Sequence, residues 1–107
     1  MVQKVKKYLE DHYNEVITRK NIESLVHMNQ DYVNREFKRL EGYTLMQYIQ
    51  YYRMLMAKKL LQETDLSMTE IGLEIGYDSS AYFAKIFKRW TELTPMEYRE
   101  KHRAGSV

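Results

Sequence analysis

The sequence predicts an all-α protein of about seven helices. Three observations carry this. Punctuation is scarce: Pro95 is the one proline, and Gly42, Gly72, Gly76 and Gly105 are the four glycines in 107 residues, against many Leu, Met, Glu, Lys and Gln. Apolar residues recur at spacings of three and four, and no stretch alternates with period two. The chain also writes one passage twice: "YVNREFKRLEGYTLMQY" at 32–48 returns as "YFAKIFKRWTELTPMEY" at 82–98.

The elements follow in order. Val5 and Leu9, with Tyr8 and His12 beside them, give a first helix from about Gln3 to Tyr13 an apolar stripe. Thr18 caps a short second helix whose inner face is Ile22, Leu25 and Val26. "HMNQD" interrupts the pattern. Asn29 then caps a third helix reaching Leu40, with Gly42 as its C-terminal cap. A long fourth helix spans about Leu45 to Glu63 on Ile49, Tyr52, Met56, Leu60 and Leu61. Ser67 and Glu70 form a capping box for a fifth helix, which turns Ile71 and Ile75 inward and stops at Gly76. The sixth runs from about Ser79 to Trp90. Thr94-Pro95 opens a seventh towards Lys101, and the tail "AGSV" is expected to be disordered.

Aligning 31–49 with 81–99 gives seven identical pairs: Tyr32/Tyr82, Phe37/Phe87, Lys38/Lys88, Arg39/Arg89, Thr44/Thr94, Met46/Met96 and Tyr48/Tyr98. Upstream, with the offset reduced by one, Ile22 pairs with Ile71 and Val26 with Ile75. The repeated unit is a short helix, a tight turn, a longer helix and a capped start of another. A helix-turn-helix has this form, and it holds an exposed second helix narrow enough for the major groove. A duplicated hairpin in a scaffold bundle or solenoid is the competing reading, although two copies are few for a solenoid. Phe37, Phe83, Phe87, Trp90, Tyr32 and Tyr82 are expected in the core.

Bulk properties remove other classes. There is no cysteine, so disulfides and thiolate metal sites are excluded. His12, His27 and His102 show no metal-ligand spacing, no glycine-rich phosphate loop is present, and no catalytic grouping of side chains stands out. No enzyme activity and no cofactor are expected. No apolar run reaches membrane length, and the N-terminus lacks a signal-peptide core, so a soluble, unprocessed cytoplasmic protein is expected. Net charge is only +2. The bases Lys85, Lys88, Arg89, Arg99, Lys101 and Arg103 crowd the C-terminal part, where a local basic face can form.

"LSMTEIGLEIGYDSSAYFAKIFKRWTELTPMEYR" at 66–99 resembles the C-terminal signature of the AraC/XylS family of bacterial transcription regulators. Ile71, Gly76-Tyr77, Ser80, Tyr82-Phe83, Phe87-Lys88, Thr94-Pro95 and Tyr98-Arg99 carry the resemblance, and Arg53 and Ala57 fit it upstream. It covers about Val2 to His102. Two departures stand out: Glu92 where the family usually has glycine, and Gly72 where it usually has alanine. Glu92 puts the usual turn in doubt.

The resemblance implies that residues 1–107 form one DNA-binding domain. Helix-turn-helix unit 1 would occupy about 18–42, a linker helix 45–63, unit 2 about 67–90 and a C-terminal helix 95–101. The recognition helices would enter successive major-groove segments of double-stranded DNA. A helix of about 18 residues spans about 27 Å, beside about 34–36 Å for one DNA turn. Family position puts Asp31, Asn34 and Arg35 at base-facing sites, with Gln30 on the same exposed face. Ser80, Ala81, Ala84 and Lys85 match in unit 2, where small side chains leave little to read with. Unit 1 is therefore expected to carry most of the sequence information. Asn29 and Ser79, which cap the two recognition helices, and Lys38 and Lys88 are expected near phosphates. RNA polymerase, and a sensing or receiver domain outside this chain, are the other partners it implies. A helical protein-interaction module built on Tyr8, Tyr13, Tyr43, Tyr51 and Tyr52 is the alternative, and it predicts binding that is insensitive to salt.

Overall fold

The structure, a computed structural model, describes residues 1–104. They form seven helices and no strand: α1 Val2–His12, α2 Arg19–Val26, α3 Gln30–Glu41, α4 Leu45–Glu63, α5 Met68–Glu74, α6 Ser80–Thr91 and α7 Pro95–Ala104. Ala104 of the expected tail ends α7, and the rest of that tail lies outside the described residues. The chain divides into two compact units, Met1–Tyr52 and Arg53 onward, with the division falling inside α4.

Side-chain caps set the helix starts, and they repeat between units. Thr18 and Asn21 close a capping box on α2, and Ser67 and Glu70 close the same box on α5. Asn29 caps α3 by accepting from the Asp31 amide, and Ser79 caps α6 by accepting from the Tyr82 amide. Thr44 and Thr94 accept from the amides of Gln47 and Glu97, each at 3.1 Å, and those two side chains bond back to the threonine amides.

In the first unit Val2, Val5, Leu9, Ile22, Val33, Phe37, Leu45 and Tyr48 form a buried core, flanked by half-buried Ile17, Leu25, Val26 and Tyr43. In the second, Met54, Ala57, Leu61, Ile71, Ile75, Tyr77, Phe83, Ile86, Phe87 and Tyr98 are buried. The stripe expected on α4 is only partly right. Ile49, Tyr52, Met56 and Leu60 are half-buried, and the fully buried positions are Leu45 and Tyr48, then Met54, Ala57 and Leu61. The step from 48 to 54 is one that no single helical stripe makes.

Glu92 keeps the turn that its identity put in doubt. It closes α6 in the left-handed region with φ 68°, its amide bonded to the Lys88 carbonyl. Gly42 closes α3 in the same way, with φ 84° and its amide on the Lys38 carbonyl. An L side chain at positive φ strains the backbone by about 1–2 kcal/mol, and the capping bond offsets part of that strain. Glu92→Gly should therefore stabilise the protein by about 1 kcal/mol, read as a higher urea midpoint at unchanged slope.

Gly72 is buried inside α5, against Phe83 of α6. A Cβ there would sit 3.5 Å from the Phe83 Cβ and Cδ2, an ordinary contact. Gly72→Ala removes the propensity deficit of an interior glycine without a clash, and should raise stability by up to about 1 kcal/mol in the same assay.

Candidate nucleic-acid interface

Each unit holds its second helix against its first. In the first unit α2 packs on α3, and α1 packs on both. His27 ends α2 in the left-handed region, and its amide returns to the Glu23 carbonyl at 2.7 Å. In the second unit α5 packs on α6, and the turn passes through Gly76 at φ 103°. Val33 and Phe37 bury the inner face of α3, and Phe83, Ile86 and Phe87 that of α6. The opposite faces are left to solvent.

On α3 that outer face holds Asp31, Tyr32, Arg35, Lys38 and Arg39, all exposed. Arg35 and Lys38 form no hydrogen bond or salt bridge among the described residues, so both cations are available to a ligand. Arg39 is engaged with Glu36 at 2.7 Å, which holds the Glu36 carboxyl below its usual range. Asp31 lies 3.4 Å from Arg19 of α2. Arg19 also reaches Glu23 at 3.3 Å, and Glu23 accepts from the Gln30 amide at 2.8 Å. Arg19 and Glu23 were not singled out from the sequence, because only the fold brings α2 beside the start of α3. One guanidinium is thus shared by two carboxylates, and the group keeps a net charge of −1.

Three expectations need correcting. Gln30 is half-buried rather than on the exposed face, and its side-chain oxygen points inward. The start of α3 is already satisfied: Glu23 holds the Gln30 amide and Asn29 holds the Asp31 amide, so a phosphate there would have to displace a carboxylate. Asn34 is also half-buried, and its Oδ1 accepts from the Leu45 amide at 2.8 Å.

On α6 the exposed residues are Ser80, Ala81, Tyr82, Lys85, Lys88 and Arg89, while Ala84 is half-buried. This helix contains no acid, and Lys85, Lys88 and Arg89 form no salt bridge among the described residues. The result is a positive face next to the small residues Ser80 and Ala81, with Ser79 exposed at the cap. Tyr32 and Tyr82, expected in the core, are instead 45% and 49% exposed at matching places on the two helices. Their spacing put them beside Val33 and Phe83, one position round from the buried stripe.

The basic run at the C-terminus does not act as one face. Arg99 donates to the carbonyls of Leu61 and Thr64 at 3.0 and 3.1 Å, and Arg103 donates to Thr64 and to Asp65. These arginines close the carbonyl end of α4, where cations also favour the helix dipole. Arg53 lies over the Tyr77 ring, 4.8 Å from its centroid. Among the described residues no helix is long and apolar enough to cross a membrane, and no group of three His, Asp or Glu side chains is placed to hold a metal ion.

Two short-helix, turn, long-helix units with exposed second helices define a helix-turn-helix protein. The family described as "Helix-turn-helix domain" matches residues 23–101, and the chain belongs to this AraC-type family. The chain is 38% identical over 94 residues to the uncharacterized HTH-type transcriptional regulator YisR of Bacillus subtilis, covering 88% of this chain and 33% of that protein. Its fold is similar to the C-terminal domain of AraT, a response regulator from Geobacillus stearothermophilus, with TM-score 0.88, 27% identity and coverage of 94% and 84% of the two chains. It is similar too to the DNA-binding domain of the global transcriptional factor AdpA, solved in complex with a target DNA. There the TM-score is 0.89 and the identity 25%, with 97% and 94% of the chains covered. The chain spans between 33% and 47% of the length of the first curated relatives it matches.

Proposed function

We propose that this chain binds double-stranded DNA sequence-specifically in bacterial transcription regulation, with α3 and α6 entering successive major-groove segments. The observation that supports it best is the duplicated outer face. Arg35 and Lys38 on α3, and Lys85, Lys88 and Arg89 on α6, are exposed cations without salt bridges among the described residues. Membership of a family whose DNA-bound relative shares this fold points the same way.

In this reading Arg35 and Asp31 carry the base recognition of unit 1. Arginine can pair with guanine through two hydrogen bonds, and a carboxylate can accept from cytosine. Arg19, 3.4 Å from Asp31, offsets part of the repulsion between that carboxylate and phosphates. Ser80, Ala81 and Ala84 allow α6 a close approach and apolar contact with thymine methyls. Lys38, Lys85 and Lys88, with Ser79 at the start of α6, hold the backbone. RNA polymerase, and a sensing or receiver domain on the same or another chain, are the further partners proposed. No catalytic role is assigned, and the setting is the cytoplasm, where the target DNA lies.

The test is a salt titration of binding to a fluorescent mixed-sequence duplex. Neutralising about three to five phosphates predicts that log affinity falls with log salt at a slope of about −3 to −4.5. No salt-dependent binding to the duplex would favour the protein-interaction module instead.

A further inference from the structure

We infer that Asn34 is a positioning residue, which fixes α3 against the start of α4, rather than a reader of bases. The inference rests on the DNA-binding reading above, but its central contact can be tested without DNA.

The two units supply an internal comparison. Residue 34 aligns with 84, and 45 with 95. Both helices that follow the recognition helices start alike. Thr44 and Thr94 receive the amides of Gln47 and Glu97 on their hydroxyls, and the amides of Tyr48 and Tyr98 on their carbonyls at 2.9 Å. They differ at the first helical residue. Leu45 has a backbone N–H with no acceptor inside α4, and it lies in a buried position. The Asn34 Oδ1 supplies that acceptor at 2.8 Å. Pro95 has no N–H, so nothing has to be supplied, and the residue in the matching place is Ala84. Asparagine goes with the amide, and alanine with its absence.

A base reader would need the same atoms for another purpose. Pairing with adenine uses both the oxygen and the amino group of an asparagine side chain. In this fold the oxygen is engaged within the first unit, and the residue is half-buried. The consequence is that base recognition by α3 falls to Asp31 and Arg35, and that Asn34 sets the register at which they are presented.

The experiment uses four variants of the chain: Asn34→Ala, Asn34→Asp, Leu45→Pro, and Asn34→Ala combined with Leu45→Pro. The last rebuilds the Ala–Pro pairing of the second unit. Asn34→Ala should raise the unfolding equilibrium constant about tenfold, because it leaves the Leu45 amide without a partner. In the Leu45→Pro background the same change should matter less than about threefold, since the amide is gone. Asn34→Asp keeps an oxygen for Leu45 and loses the amino group. It should select the same base pairs from a random duplex pool as the wild type, at an affinity lowered evenly by the added charge. The inference is overturned if Asn34→Ala unfolds like the wild type, or if it costs the same with and without Leu45→Pro. It is equally overturned if Asn34→Asp replaces one preferred base pair by another. If the wild type selects no sequence at all, the DNA-binding reading fails, while the unfolding arm still decides the Asn34–Leu45 link.

Discussion

Phe87→Ala should destabilise the protein by about 3–5 kcal/mol, the usual result of emptying a fully buried aromatic site. Phe87 has no exposed surface. It meets Phe83 and Tyr98 edge to face, with centroids 5.8 and 5.4 Å apart, so the cavity would also remove two aromatic contacts. A domain of this size is stable by roughly 5–15 kcal/mol in all. The variant should therefore show a large drop in urea midpoint, and it should lose DNA affinity only in proportion to its unfolded fraction. Lys88→Ala, one position on and exposed, is the control. It should change stability by less than about 0.5 kcal/mol.

Arg35→Ala should have the largest effect on recognition. An arginine paired with guanine contributes about 1–3 kcal/mol of discrimination, which is a loss of about 5- to 150-fold in affinity for the preferred sequence. Affinity for unrelated duplex should fall much less, and urea unfolding should be unchanged because the side chain is exposed without a salt bridge. Lys38→Ala, one turn along the same face, should behave differently. It should weaken all sequences alike and reduce the salt slope by about one. Fluorescence anisotropy at several salt concentrations, on the preferred and an unrelated duplex, separates the two.

The local part of this architecture could be read from the sequence. Thr18, Asn29, Ser67, Ser79 and Thr94 act within three residues of themselves, so their capping role follows from residue type and spacing. The repeat was legible too, because it preserves the pairs that build each unit, Phe37/Phe87 and Tyr48/Tyr98 among them. What was not legible depends on partners far along the chain. Asn34 meets the amide of a residue eleven positions on, and Arg99 meets the carbonyl of Leu61, 38 positions back. A polar side chain on a helix looks the same in sequence whether it faces solvent or a neighbouring helix end. Tyr32 and Tyr82 failed for a related reason: an aromatic next to a buried position can sit at the rim as easily as in the core. The role of Arg19 depends on where the fold places Asp31, which the sequence alone does not show.

These corrections change the candidate interface while keeping its location. Gln30 and Asn34 turn inward, and Arg99 and Arg103 serve the end of α4. What is left of the interface is a smaller set: Asp31, Arg35 and Lys38 on one helix, and Ser80, Ala81, Lys85, Lys88 and Arg89 on the other. A short set of this kind makes the proposal sharp, since few substitutions should be able to redirect it.

The most direct test of the central claim is selection from a random duplex DNA pool by the intact 107-residue chain, with sequencing of the bound fraction. The account predicts two enriched boxes about one helical turn apart, the more sharply defined of which is lost in Arg35→Ala. No enrichment, together with no salt-dependent binding to any duplex, would contradict it.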